Sequence, residues 1–180
     1  MSEKYKVLEN TLPHFITITI TNWIDLLTRP VYIEILYDSL RFCQQNKGLK
    51  IHAYVFMTNH IHLIVSSNND VSAIIRDFKR FTSRELLKVI VDQNESRKEW
   101  MLKLFKEEAE KVKRVHQYKL WRDGFHPVVL DTNEKIDERL KYIHENPIKQ
   151  GLVAVEEHWV NSSVHDYNGE KGEVEVECLW

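Results

Sequence analysis

Residues 51–67 read IHAYVFMTNHIHLIVSS. The stretch joins two β-rich runs, LKIHAYVF and HIHLIV, through Met57, Thr58 and Asn59, and so predicts a tight hairpin. Strand side chains alternate between faces. The second run therefore presents His60 and His62 together and sends Ile61, Leu63 and Val65 to the opposite side. Two imidazoles on one face can share a metal ion. The same spacing also suits two hydrogen-bonded histidines on a half-exposed strand, so the pair needs support from elsewhere in the chain.

Upstream of the hairpin, FITITIT (Phe15–Thr21) alternates apolar residues with threonine, which predicts a strand with one buried face. From Val31 to about Asn46, Ile33, Leu36, Tyr37, Leu40 and Cys43 recur at helical spacing, and Gly48 lies where it can close a helix. The order strand, helix, strand, strand predicts an α+β fold, with helices on one face of an antiparallel sheet.

Downstream, Val71 to about Asp92 predicts a long helix whose stripe of Ile75, Phe78, Thr82, Leu86 and Val89 faces the sheet. Arg76, Lys79, Arg80, Ser83, Arg84 and Lys88 form a second stripe. A basic stripe of this kind can track a phosphate backbone or simply be a solvated helix face. The highly charged stretch 93–119 predicts a helical elaboration with an apolar edge of Trp100, Leu104 and Phe105. Asp123-Gly124 then predicts a turn before a short strand, His126–Leu130. Trp121 and Phe125 beside that turn fit either base stacking or the core.

A last helix is expected within Asp131–Gly151, ending at Asn146-Pro147. Ile136, Leu140 and Ile143 make its apolar stripe. Lys135, Arg139, Tyr142 and Asn146 make the adjacent polar one, with Tyr142 and Asn146 a turn apart and pointing the same way. His144 lies on another side of the helix. No role is assigned to His52 or His126.

Composition sets the outer bounds. The 180 residues carry 25 Lys and Arg against 27 Asp and Glu, a near balance that neither requires nor excludes a polyanionic partner. Cys43 and Cys178 are far apart and in no metal or redox spacing, which fits a reducing compartment. No apolar run approaches the length of a membrane span, and the first ten residues carry no apolar segment of the signal type. A cytoplasmic location without membrane contact is expected.

MTNHIHLIV, the basic FKRFTSR, LWRDGFHP, YIHENPIKQGLV and NSSVHDYNG occur in this order. Together, from about Phe15 to Tyr167, they resemble the single-tyrosine HUH transposases, especially the group associated with repetitive extragenic palindromes. The resemblance implies one ferredoxin-like or RRM-like HUH endonuclease domain over residues 1–180, elaborated at about 93–119. It makes His60 and His62 the paired metal ligands, Asn146 the group that completes the metal site, and Tyr142 the nucleophile. In some relatives glutamine stands at the Asn146 position.

Such enzymes cleave single-stranded DNA near a hairpin, leaving a 5′-phosphotyrosine and a free 3′-hydroxyl. Arg76, Lys79, Arg80 and Arg84 would touch DNA on this reading. A divalent ion, Mg²⁺ or Mn²⁺, would neutralise charge on the scissile phosphate. Some relatives are homodimers that supply the tyrosine helix in trans and others are monomers, so a homodimer and a monomer are both open on the resemblance. A hairpin-DNA-binding regulator without catalysis is the alternative. A histidine-triad phosphohydrolase would want a third histidine where Ile64 stands.

Overall fold

The computed structural model describes residue 7, residues 9–112 and residues 117–180. Its elements are β1 (His14–Thr19), α1 (Pro30–Lys47), β2 (Leu49–Phe56), β3 (His60–Ser67), α2 (Val71–Asp92), α3 (Lys98–Glu110), β4 (Val128–Val129), α4 (Asn133–Lys149) and the single turn α5 (Val164–Tyr167). The strands pair antiparallel in the order β2-β3-β1-β4.

Alternation along β1 and β3 sorts side chains as expected. Ile16, Ile18, Ile61, Leu63 and Val65 join the larger core with α1, α2 and α3. Phe15, Val55 and Ile64 join a second core with Leu140 and Ile143 of α4. Helices thus cover both faces of the sheet, not one. The apolar stripe of α4 needs a partner, and the residues around the histidines supply it.

Local signals account for most boundaries. Pro30 opens α1, where its missing N–H is not needed, and Gly48 closes it at φ 67°, in the left-handed region. The Asp70 side chain caps α2 by accepting from the Ala73 N–H at 3.1 Å. The buried stripe of α2 ends on Ile90, with Val89 only half-buried. In α3 the stripe is Met101, Phe105 and Ala109, leaving the expected Trp100 exposed. These three residues are spaced four apart and stack on one side of the helix. The helix expected over 93–119 is shorter: α3 spans Lys98–Glu110 and residues 117–119 are not helical, while residues 113–116 lie outside those described.

Two further boundaries differ from expectation. The strand expected over His126–Leu130 is only Val128–Val129, because His126 adopts φ 47° and leaves the extended region. Helix α4 continues through Pro147 to Lys149. The proline sits in the final turn, where only one hydrogen bond is forfeited before the helix ends.

Irregular segments of the chain add backbone hydrogen bonds along β1, beyond its short pairing with β4, and along the outer edge of β2. Beside β1, Thr17 N donates to Phe125 O (2.9 Å) and Arg122 N to Thr19 O (2.9 Å). Beside β2, Phe56 N donates to Asn161 O, Ser163 N to Tyr54 O and Glu177 N to Ile51 O, each at 2.9 Å. The C-terminal VEVEC segment is thus an edge cover, with Val174 buried against the main core. Among the described residues no helix is long and apolar enough to cross a membrane.

Candidate active site

The register of β1 against β3 sets Thr17 opposite His62 and Thr19 opposite His60, on the face covered by α4. The imidazoles of His60 and His62 lie 4.7 Å apart, ring centroid to centroid, and each residue is 4% exposed. The Tyr142 ring from α4 meets His62 edge-on at 5.2 Å. Phe15 stacks on His62 at 5.1 Å and itself meets the Tyr142 ring edge-on at 5.8 Å, so the three rings form one cluster.

The hydrogen bonds fix which nitrogens are available. Asn59 Nδ2 donates to Asp25 Oδ1 (2.9 Å), so Asn59 Oδ1 is the atom that accepts from His60 Nδ1 (2.7 Å). His60 therefore carries its proton on Nδ1 and keeps a lone pair on Nε2. In His62, Nδ1 meets the Thr17 hydroxyl at 2.8 Å, while Nε2 is buried and makes no hydrogen bond. Donation from Nδ1 to Thr17 leaves Nε2 as a bare lone pair, the state that metal ligation needs.

Burial is the main cause of the low basicity of both rings. It brings His60 down to about 4, against a smaller opposing effect from the Asn146 side chain. It brings His62 down to about 3, helped by His60 and Arg139. Both imidazoles are neutral at physiological pH and have free electron pairs to offer.

Asn146, also 4% exposed, brings its side chain within hydrogen-bond reach of His60 and accepts from Gln150 Nε2 at 3.4 Å. Among the described residues no cluster of three or more His, Cys, Asp or Glu side chains could hold a metal. A third protein donor here would be the Asn146 amide oxygen. The donor set fits a hard or borderline divalent ion that keeps several water ligands.

Positive charge lies beside the tyrosine. The Arg139 guanidinium is 5.1 Å from the Phe15 ring centre and 5.9 Å from that of Tyr142, and Lys149 Nζ is 5.6 Å from the Tyr142 ring centre. Tyr142 itself is half-buried between these groups. Lys135, on the same predicted stripe, sits two turns from the tyrosine and pairs with Asp131 at 2.6 Å.

The basic stripe of α2 does not join this site. It lies on the layer across the sheet from His60 and His62. Arg76, Arg80 and Arg84 are exposed there, with Arg80 paired to Asp77 and Arg84 to Glu85. Lys79 is drawn away from the stripe. Its ammonium donates to the carbonyls of Arg122 (2.7 Å) and Gly124 (2.6 Å), and desolvation lowers its pKa to about 8.

His144 faces away from the tyrosine, against Tyr167 and the Ser163 hydroxyl. His52 is spent on Ser66 and the Glu177 carbonyl. Trp121 and Phe125 are buried in the core, and the Trp121 N–H is bonded to Thr82. Sequence reasoning missed Thr17, Asp25 and Asn59. Only the threonine alternation of β1, once set in register with β3, could have pointed to Thr17.

A four-stranded antiparallel sheet thus carries two buried histidines beside a helix-borne tyrosine. The IS200-like transposase family model matches residues 9–102. The chain belongs to that family and is a DNA transposase. Its structure is similar to that of a REP-associated tyrosine transposase bound to a REP hairpin, with a TM-score of 0.67 and 19% identity, covering 100% of this chain and 94% of the other. It is also similar, at a TM-score of 0.44 and 17% identity, to a candidate transposase from Deinococcus radiodurans R1, over 81% of this chain and 94% of that one. No curated protein matches it in sequence.

Proposed function

We propose that this chain is a metal-dependent, single-stranded DNA endonuclease and strand transferase that acts beside DNA hairpins. The observation that carries the reading is the convergence of three groups on one face. They are the Nε2 lone pairs of His60 and His62 and the hydroxyl-bearing ring of Tyr142, which packs on His62. The REP hairpin in the similar structure motivates the hairpin substrate.

His60, His62 and Asn146 would hold Mg²⁺ or Mn²⁺, which when bound supplies charge neutralisation at the non-bridging oxygens of the scissile phosphate. Tyr142 Oη attacks phosphorus and the P–O3′ bond breaks. The tyrosine loses a proton and the departing 3′-oxygen gains one, so the step is balanced. Arg139 and Lys149 flank the ring and are placed to attract the phosphate. Because the phosphotyrosine keeps the energy of the diester, attack by a 3′-hydroxyl reverses the step and rejoins DNA without a nucleotide cofactor.

The test is a denaturing-gel and mass-spectrometric search for a covalent adduct. Single-stranded hairpin oligonucleotides from DNA flanking the gene are mixed with wild type or Tyr142→Phe, with Mn²⁺, Mg²⁺ or chelator. The expected result is an adduct on Tyr142 that requires metal and is absent from the Phe variant. Tight hairpin binding with no adduct under any metal would instead establish the regulator, and an adduct elsewhere would displace Tyr142 from its role.

A further inference from the structure

The turn after β1 carries an aromatic residue that the proposed chemistry does not use. Trp23 is 53% exposed, and its ring meets His60 edge-on at 5.6 Å. The rings therefore form a contact series, Trp23 to His60 to His62 to Tyr142, running inward from the end of the sheet. An exposed tryptophan one ring from the ligand pair is poorly explained by packing, since large apolar side chains gain most when buried.

Its placement is held from several sides. Asn22 and Trp23 both have φ 56°, and His126 is the one other non-glycine residue with positive φ among those described. The Trp23 N–H donates to Ile20 O (3.1 Å), and Ile20 N donates to Asn59 O (2.9 Å), the residue that orients His60. Helix α3 packs against this turn, with the Glu108 side chain near that of Asn22, so the charged elaboration braces it. Arg122 brings its guanidinium to 5.8 Å from the Trp23 ring centre, while its own N–H is bonded to Thr19 O.

We propose that Trp23, flanked by Arg122, is a stacking site for the nucleobase on the 5′ side of the cleaved phosphate. The assignment to that side rests on the strand-transfer reading. In an in-line displacement the leaving 3′-oxygen departs opposite the attacking tyrosine oxygen. Tyr142 stands at one end of the ring series and Trp23 at the other. The nucleotide that owns the leaving oxygen is directed toward Trp23, and an unpaired base can lie on the indole while Arg122 meets its phosphate. Stacking tolerates every base, so Trp23 fixes the position of the strand, not its sequence.

The test uses 2-aminopurine placed singly at each unpaired position of the hairpin oligonucleotides. Binding is followed with the full-length Tyr142→Phe chain, and cleavage is mapped in parallel with wild type. One position, on the 5′ side of the cleaved bond, should be quenched on binding. Trp23→Ala should abolish that quench and weaken binding by about 10-fold, while Trp23→Phe retains most of both. If no position depends on Trp23, or if the dependent one lies 3′ of the cleaved bond, the proposal falls whatever the adduct assay reports. A Trp23-dependent quench without a wild-type adduct would uphold the stacking site and sink the strand-transfer reading.

Discussion

At the scale of single residues, the imidazoles are governed by the neighbours that fix their protons. His62 has one polar contact, from Nδ1 to the Thr17 hydroxyl. Thr17→Val keeps the shape and removes that partner. The ring proton then has no reason to stay on Nδ1, and the tautomer with Nε2–H cannot ligate. Loss of such an outer partner typically costs about 10–100-fold in metal affinity. Calorimetric titration of Mn²⁺ should show a drop of that order in Thr17→Val with little change in thermal stability. Unchanged Mn²⁺ affinity would mean that Thr17 does not set the tautomer.

Among the elements, the hairpin, α1, α2 and the stripe of α4 were legible because each has a period: the HIHLIV alternation, Ile33-Leu36-Tyr37-Leu40 closed by Gly48, Ile75-Phe78-Thr82-Leu86, and Ile136-Leu140-Ile143. What escaped was set by contacts between elements. The basic stripe of α2 was visible in sequence, but the layer it occupies depends on the path of the chain across the sheet. Trp23 stood in no pattern, because its place comes from a turn in left-handed conformation braced by α3. Asn146 was legible as a neighbour of Tyr142, whereas its burial follows from α4 continuing past Pro147.

Also at this scale, Glu95 ties three elements together. Its side chain is 4% exposed, accepts from the Tyr32 hydroxyl (2.8 Å) and Arg97 Nε (3.1 Å), and pairs with Arg29 at 3.5 Å. Arg97 in turn donates to Asp25 O (2.6 Å), in the residue that orients Asn59. The Arg97 hydrogen bonds are the main reason the Glu95 carboxyl is held down at about 2, from an ordinary 4.5. A depressed pKa contributes stability that is present above 4.5 and lost as pH falls toward 2. Urea unfolding should weaken across that window. Glu95→Gln should cost about 2 kcal/mol at neutral pH and flatten the acid dependence. A variant with the full wild-type acid slope would assign that slope to other carboxylates.

For the whole molecule, the question is whether one chain builds one site. His60 and His62 come from β3 and Tyr142 from α4 of the same chain, with Tyr142 5.2 Å from His62. The outer edge of β2 is occupied by the segments around Asn161 and Glu177, and the part of β1 that β4 leaves unpaired is occupied by residues 120–125. A partner strand would first have to displace these backbone hydrogen bonds. Helix α4 is fastened at its far end too, where the Trp180 indole donates to Asp137 at 3.0 Å. Swapping α4 between copies would break that contact together with the Leu140 and Ile143 core. The tyrosine should therefore act on the phosphate held by its own histidines. Mixing Tyr142→Phe chains with His60→Ala,His62→Ala chains should then restore no adduct, because neither chain holds a complete site. In an enzyme that exchanges its tyrosine helix, the double-histidine chain would lend its Tyr142 to the other, and about a quarter to a half of the activity would return from statistical mixing of the two chains in a dimer. Recovery of that size, with a dimer by sedimentation, would overturn the assignment in cis.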